Sequence, residues 1–241
     1  MSRTLYALIV LLLVSIALAA PVPPPFTAGW DNPVVPDRDC KIIRAKGALT
    51  IEMPGSDHDY DPQRERKNAP RLLRDVEGDF VIRVHIHIDC HPSSKSTVEG
   101  QLSSVAAGFL LIPPKSSPFT CIRFEFGVAA EGIGADGYAG MKHRDIKKGR
   151  MNGIWSRRWG KHWPLPEKAN QAYLRWERRG EYFSPSISAD GEKWTPLMGP
   201  MGFGSLPAKL KVGLAAYSTS TERSKVRFDK FKLIQNRKKK R

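Results

Sequence analysis

AYLRWERRGEYFSPSISADGEKW, residues 172–194, decides the fold of this chain. Leu174, Trp176 and Arg178 share one face of an extended segment, and Tyr173, Arg175, Glu177 and Arg179 share the other. An alternation of period 2 marks a half-buried antiparallel strand. Gly180 supplies a turn into a second strand, and Asp190-Gly191 supplies another, closed by Trp194. Two short strands on tight turns point to an all-β domain.

The same reading extends outward. Residues 79–90 (DFVIRVHIHIDC) put Phe80, Ile82, Val84, Ile86 and Ile88 on one face and Val81, Arg83, His85, His87 and Asp89 on the other. Residues 105–112 (VAAGFLLI) form a continuous apolar strand, stopped by Pro113-Pro114, and residues 120–128 (TCIRFEFGV) alternate again. Residues 41–53, 210–218 and 225–234 complete a set of roughly nine strands with no helical period. The expectation is an all-β, two-sheet antiparallel β-sandwich of jelly-roll type. Residues 129–171 break the pattern. That stretch is too long for an idle connection, so it is either an insertion that carries function or a pair of irregular strands.

The ends read differently. Arg3, the apolar run 5–18 and Ala17-Leu18-Ala19 fit a secretory signal peptide over residues 1–19, too short for a membrane span. Residues 20–39 are a Pro-rich lead-in, expected to be extended and poorly packed apart from Trp30. The sandwich domain then covers 40–235, and 236–241 is a basic tail whose RKKKR reads as a solvated terminus. Cys40, Cys90 and Cys121 allow one disulfide and one leftover thiol in an oxidising compartment. Strand-end positions favour Cys40 with Cys90, and the wide separations do not match zinc-finger spacing.

The order of these segments carries a resemblance. NAPRLLRDVEGDFVIRVHI (68–86), AAGFLLI (106–112), LRWERRGEYFSPSISADGEKWTPL (174–197), VGLAAYS (212–218) and VRFDKFKL (226–233) are the matching features. The chain resembles the concanavalin A-like lectin/glucanase superfamily, and within it the secreted bacterial family labelled regulation-of-enolase-like. The resemblance implies a curved two-sheet sandwich, often secreted and often associated with carbohydrate, with no defined reaction. Residues 129–171 depart from it, being longer and more basic than the usual connection.

The formal charge of +15 favours acidic partners. The signal peptide argues against nucleic acid. Residues 142–161 carry eight Lys/Arg against one acid, interleaved with aromatics in GIWSRRWGKHWPLP. Trp155, Trp159 and Trp163 are candidates to stack on sugar rings, with Arg157, Arg158, Lys161 and, from the adjoining strand, Arg175 to bond hydroxyls, carboxylates or sulfates. The plainer alternative is that the tryptophans plug the end of the sandwich.

Other candidates are weaker. Asp57, His58, Asp59, Tyr60 and Asp61 could hold a hard cation, but short Asp-rich turns usually exist because Asp bonds its own backbone. His85, His87 and His91 have chelating spacing without an obvious further ligand. Glu125 and Glu177 stand alone, without the closely spaced acids that glycoside hydrolysis requires. No cofactor motif or metal site is expected.

The reading is a secreted or envelope-located, monomeric, non-catalytic binding module. Its expected partner is a polysaccharide, preferably anionic, or another acidic surface ligand, with no nucleic acid and no span after cleavage. The alternatives are a glycan-active hydrolase or lyase of the same fold, using Glu125, Glu177 or the 57–61 cluster, and an envelope-associated protein-interaction module.

Overall fold

The computed structural model describes residues 29–45, 47–61, 66–114, 119–130, 138–145, 151–154, 163–166, 168–204 and 206–235. The signal-peptide segment, residues 20–28 of the lead-in and the basic tail lie outside the described residues.

The described residues form sixteen strands: β1 (Lys41–Ala45), β2 (Ala48–Met53), β3 (Tyr60–Asp61), β4 (Arg66–Lys67), β5 (Arg71–Glu77), β6 (Phe80–Asp89), β7 (Ser104–Ile112) and β8 (Phe119–Ala129), then β9 (Tyr138–Asp145), β10 (Met151–Ile154), β11 (Gln171–Arg179), β12 (Tyr182–Ser188), β13 (Thr195–Pro196), β14 (Met201–Gly202), β15 (Lys209–Ser218) and β16 (Ser224–Gln235). One sheet has eight strands in the order β1-β2-β16-β6-β11-β12-β13, with β14 also on β12. The other has six, in the order β10-β9-β8-β7-β15-β5, and β3 and β4 form a small ribbon. Every pairing is antiparallel. No helix among these residues is long and apolar enough to cross a membrane. The chain is an all-β, two-sheet antiparallel sandwich.

Residues 138–145 and 151–154 of the irregular stretch form β9 and β10, which extend the six-stranded sheet beyond β8. The strands beyond the nine read from sequence are β9, β10 and the two-residue elements β3, β4, β13 and β14.

The core lies between the sheets. Phe80, Ile82, Val84, Ile86 and Ile88 from β6 and Ala172, Leu174 and Trp176 from β11 meet Val105, Ala107, Phe109 and Leu111 from β7 and Ile122, Phe124 and Phe126 from β8. Trp176 is fully buried and has Phe183 at 5.1 Å and Phe109 at 6.2 Å between ring centroids. Gly180 (φ 59°) and Gly191 (φ 80°) make the two turns, with a backbone that a side chain opposes. Residues 30–34 of the lead-in are held against the sandwich. Val34 exchanges two backbone hydrogen bonds with Arg71, the Asp31 amide donates to the Leu73 carbonyl, and Trp30 packs on Phe231 at 4.9 Å. Residues 31–34 thereby cover β5, the edge strand, whose unpaired backbone would otherwise be open to association.

Candidate functional site

The two outer faces of the sandwich differ. The outer face of the six-stranded sheet is closed over β5, β15, β7 and β8. Tyr60 and Ala69, from the segment that holds the β3–β4 ribbon, pack on Leu73, Ala106, Leu110, Cys121, Ala215 and Tyr217. Beneath them, Arg123 is ion-paired with Asp59 and, at 3.1 Å, with Glu125. Arg123 also sits 4.2 Å above the Tyr217 ring. Burial works against the Arg123 charge, but Glu125 and Asp59 more than offset it and hold the guanidinium protonated. Burial first, and Glu125 second, push the Tyr138 phenol up, and burial does the same to Tyr217. This is a charged group sealed in protein, which explains why β7 is apolar on both faces.

The outer face of the eight-stranded sheet is open, and here registry assembles cations. Lys232 on β16 stands opposite Arg83 on β6, which stands opposite Arg175 on β11. Adjacent strands lie about 4.8 Å apart, and like charges directly opposite each other destabilise a sheet. Glu177 accepts from Arg175 at 2.5 Å and from Arg179 at 2.5 Å. Among the described residues no carboxylate pairs with Arg83 or Lys232, and Arg83 lies 5.4 Å from the Trp194 ring centroid. The row therefore carries an uncompensated positive charge.

The neighbouring row is aromatic. Asp229, His85 and Tyr173 are cross-strand partners. His85 Nδ1 lies 2.9 Å from Asp229, and the His85 and Tyr173 rings stack at 4.3 Å. A β-bulge between Asp229 and Lys232 gives Lys230 a positive φ of 50° and directs its Nζ to the Tyr173 hydroxyl at 2.5 Å. That bond raises the lysine pKa. A left-handed lysine is uncommon, and such outliers collect at functional positions. His87 continues the face, 3.3 Å from Asn170.

The candidates chosen from sequence are distributed unevenly. Arg175 is on this open face. Trp163 is half-buried and packs on the intersheet core, as the plainer alternative expects. Trp155, Arg157, Arg158, Trp159 and Lys161 lie outside the described residues. The Asp-rich loop is an internal brace: Asp57 pairs with Arg66 at 2.9 Å, Asp59 with Arg123, and His58 and Tyr60 are buried. His85 and His87 are engaged by Asp229 and Asn170. Arg83, Lys232, Tyr173 and Trp194 were not singled out, although Arg83 and the two histidines of β6 were legible as unusual occupants of a solvent face.

Glu125 and Glu177 do not converge. Glu125 points out of the six-stranded sheet and Glu177 out of the eight-stranded one, so a sandwich about 10 Å thick lies between them. Paired-carboxylate glycosidases need separations of about 5–9.5 Å. The disulfide favoured from sequence fails for a similar reason. β1 and β6 are separated by β2 and β16, so Cys40 and Cys90 stand about 14 Å apart at three strand spacings. A bridge tolerates no more than about 7 Å between Cα atoms. All three cysteines are buried and none forms a disulfide.

No family model and no curated protein sequence matches the chain. Solved structures do. A functionally unknown protein from Saccharomyces cerevisiae aligns with 85% of this chain and 96% of its own, at 14% identity and a TM-score of 0.59. An alginate lyase from Klebsiella pneumoniae aligns with 79% of this chain and 82% of its own, at 11% identity and a TM-score of 0.56. A xylan beta-1,4-xylosidase from Bacillus halodurans aligns over 86% of this chain but 39% of its own, at 12% identity and a TM-score of 0.53. The chain shares the sandwich fold of these proteins, and at such identities the likeness is one of fold.

Proposed function

We propose that this chain is a secreted, monomeric, non-catalytic binding module of the concanavalin A-like superfamily, akin to its regulation-of-enolase-like members, and that it takes an anionic polysaccharide. The supporting observation is the row Lys232–Arg83–Arg175, in which only Arg175 is met by a carboxylate among the described residues, on an open sheet face beside the Tyr173–His85 stack and Trp194. Cations at strand spacing meet carboxylates or sulfates on successive sugars, and the aromatic rings accept the C–H faces between them. Trp155, Arg157, Arg158, Trp159 and Lys161, which lie outside the described residues, supply further cations and rings in this reading, while Trp163 packs on the core. A glycan-acting neighbour such as the alginate lyase supports the choice of ligand class. The sealed, ion-paired Glu125 favours binding over turnover.

The test is binding of the purified protein to neutral, uronate and sulfated polysaccharides at low and high salt. Wild type is compared with Arg83→Gln/Arg175→Gln and Trp155→Ala/Trp159→Ala variants. The reading expects anionic polymers only, weaker binding at high salt, and a loss of about tenfold per arginine. That is the size of one charge-assisted hydrogen bond. Salt-independent binding, or full affinity in a folded Arg83→Gln/Arg175→Gln variant, rules this face out. Release of reducing or unsaturated sugars would instead establish an enzyme.

A further inference from the structure

Three chemically different donors converge outside the open face. Asp39 and Cys40 end the lead-in, immediately before β1. His58 lies on the loop after β2, where its backbone exchanges two hydrogen bonds with Ser218 of β15, each 2.8 Å. This bridge fixes the imidazole, which is fully buried. Its Nε2 lies 3.5 Å from Cys40 Sγ and 3.4 Å from Asp39 Oδ2, and Cys40 Sγ lies 3.5 Å from Asp39 Oδ1. Ser56 Oγ reaches the same Nε2 at 3.0 Å.

One ring nitrogen makes one hydrogen bond, so a thiol, a carboxylate and a hydroxyl cannot all be satisfied by Nε2. The opposite nitrogen, Nδ1, is buried without a protein partner. Asp39 and Ser56 face the same nitrogen, which excludes a Ser-His-Asp relay, since that needs opposite sides of the ring. A coordination centre accounts for the convergence. In a tetrahedral zinc site, bond lengths of about 2.0–2.3 Å place N, S and O donors roughly 3.3–3.6 Å apart. The 3.5 Å between His58 Nε2 and Cys40 Sγ falls in that range, each of the two meets one oxygen of the Asp39 carboxylate, and the three ligand atoms lie within 4.8 Å of one another.

The charges agree. Among the described residues no Lys or Arg pairs with Asp39. A divalent cation supplies the missing positive charge and converts the thiol to a thiolate. Imidazole, thiolate and carboxylate together suit zinc rather than calcium or magnesium. Asp39, whose side chain is 37% exposed, leaves an entry path and room for a water.

We propose that Asp39, Cys40 and His58 bind a zinc-class divalent cation, with the fourth position open to water. The ion would close the chain between residues 40 and 58 and clasp the lead-in to the end of β15. The proposal is independent of the ligand proposed for the open sheet face.

The test uses the untagged, chelator-stripped protein, titrated with Co²⁺ and then Zn²⁺. The expected result is one equivalent of Co²⁺ with intense tetrahedral d–d bands and a thiolate-to-cobalt charge-transfer band, both bleached by Zn²⁺. Melting temperature should rise with Zn²⁺. Cys40→Ser should abolish the charge-transfer band. Asp39→Asn, at an exposed position that leaves the core intact, should bind Co²⁺ at least tenfold more weakly, and it decides the matter if Cys40→Ser fails to fold. Folded wild type that takes up no stoichiometric Co²⁺, or takes it up without the thiolate band, overturns the proposal. So does an Asp39→Asn variant with wild-type affinity.

Discussion

Replacing Arg123 by methionine tests whether the outer face of the six-stranded sheet is a structural seal or a working site. The substitution keeps most of the side-chain volume and removes the charge. Arg123 and Glu125 have side chains 3% and 1% exposed, and Asp59 13%. Losing the cation strands Glu125 in the interior. Removing one member of a buried pair costs about 3–5 kcal/mol, and loss of the cation over Tyr217 adds to that. For a domain of this size each kcal/mol lowers the melting temperature by about 2–4 °C, so the variant should melt roughly 6–20 °C below wild type. The double variant Arg123→Met/Glu125→Leu removes the more deeply buried carboxylate and leaves only Asp59, which still accepts from the Tyr60 amide, so it should recover part of the loss. Thermal unfolding followed by circular dichroism reads both, with calorimetry to check the two-state assumption. Arg123→Met melting within 2 °C of wild type would refute the seal, as would a double variant less stable than the single one. Either result would mean that water reaches this pair and that Glu125 is available for chemistry.

Two further predictions concern the turn beneath Trp194. The backbone amides of Lys193 and Glu192 hold the Asp190 carboxyl down to about 2. Its contribution to stability is therefore complete above the ordinary carboxylate value and is lost as pH falls through about 2; a carboxyl NMR titration with a midpoint near 4 would contradict this. Gly191→Ala places a Cβ 2.9 Å from the Tyr173 ring at a φ of 80°, whereas Gly180→Ala, at a φ of 59°, meets nothing within 4 Å. Both should lose about 1–2 kcal/mol in thermal melts, but only Gly191→Ala should weaken polysaccharide binding, because it displaces Tyr173. Equal binding by the two variants would remove Tyr173 from the site.

Sequence by itself determined the faces of the long strands. The alternation in β6 and β11 assigned Ile82, Val84, Leu174 and Trp176 to the core and Arg83, His85, Arg175 and Glu177 to the surface, and the structure agrees at each position. It did so because side-chain direction in a strand repeats every two residues and is set locally. Tertiary structure decided the rest. Residues 120–128 alternate like a half-exposed strand, yet Arg123 and Glu125 are buried, because a segment some sixty residues earlier covers them. Lys232, Arg83 and Arg175 form a row only through the registry of β16, β6 and β11, and Cys40 meets His58 rather than Cys90 because β2 and β16 intervene. Alternation assigns a residue to a face of its own strand. Only strand order and registry determine which distant residues share that face, since pairing energy depends on neighbours that the local sequence does not contain.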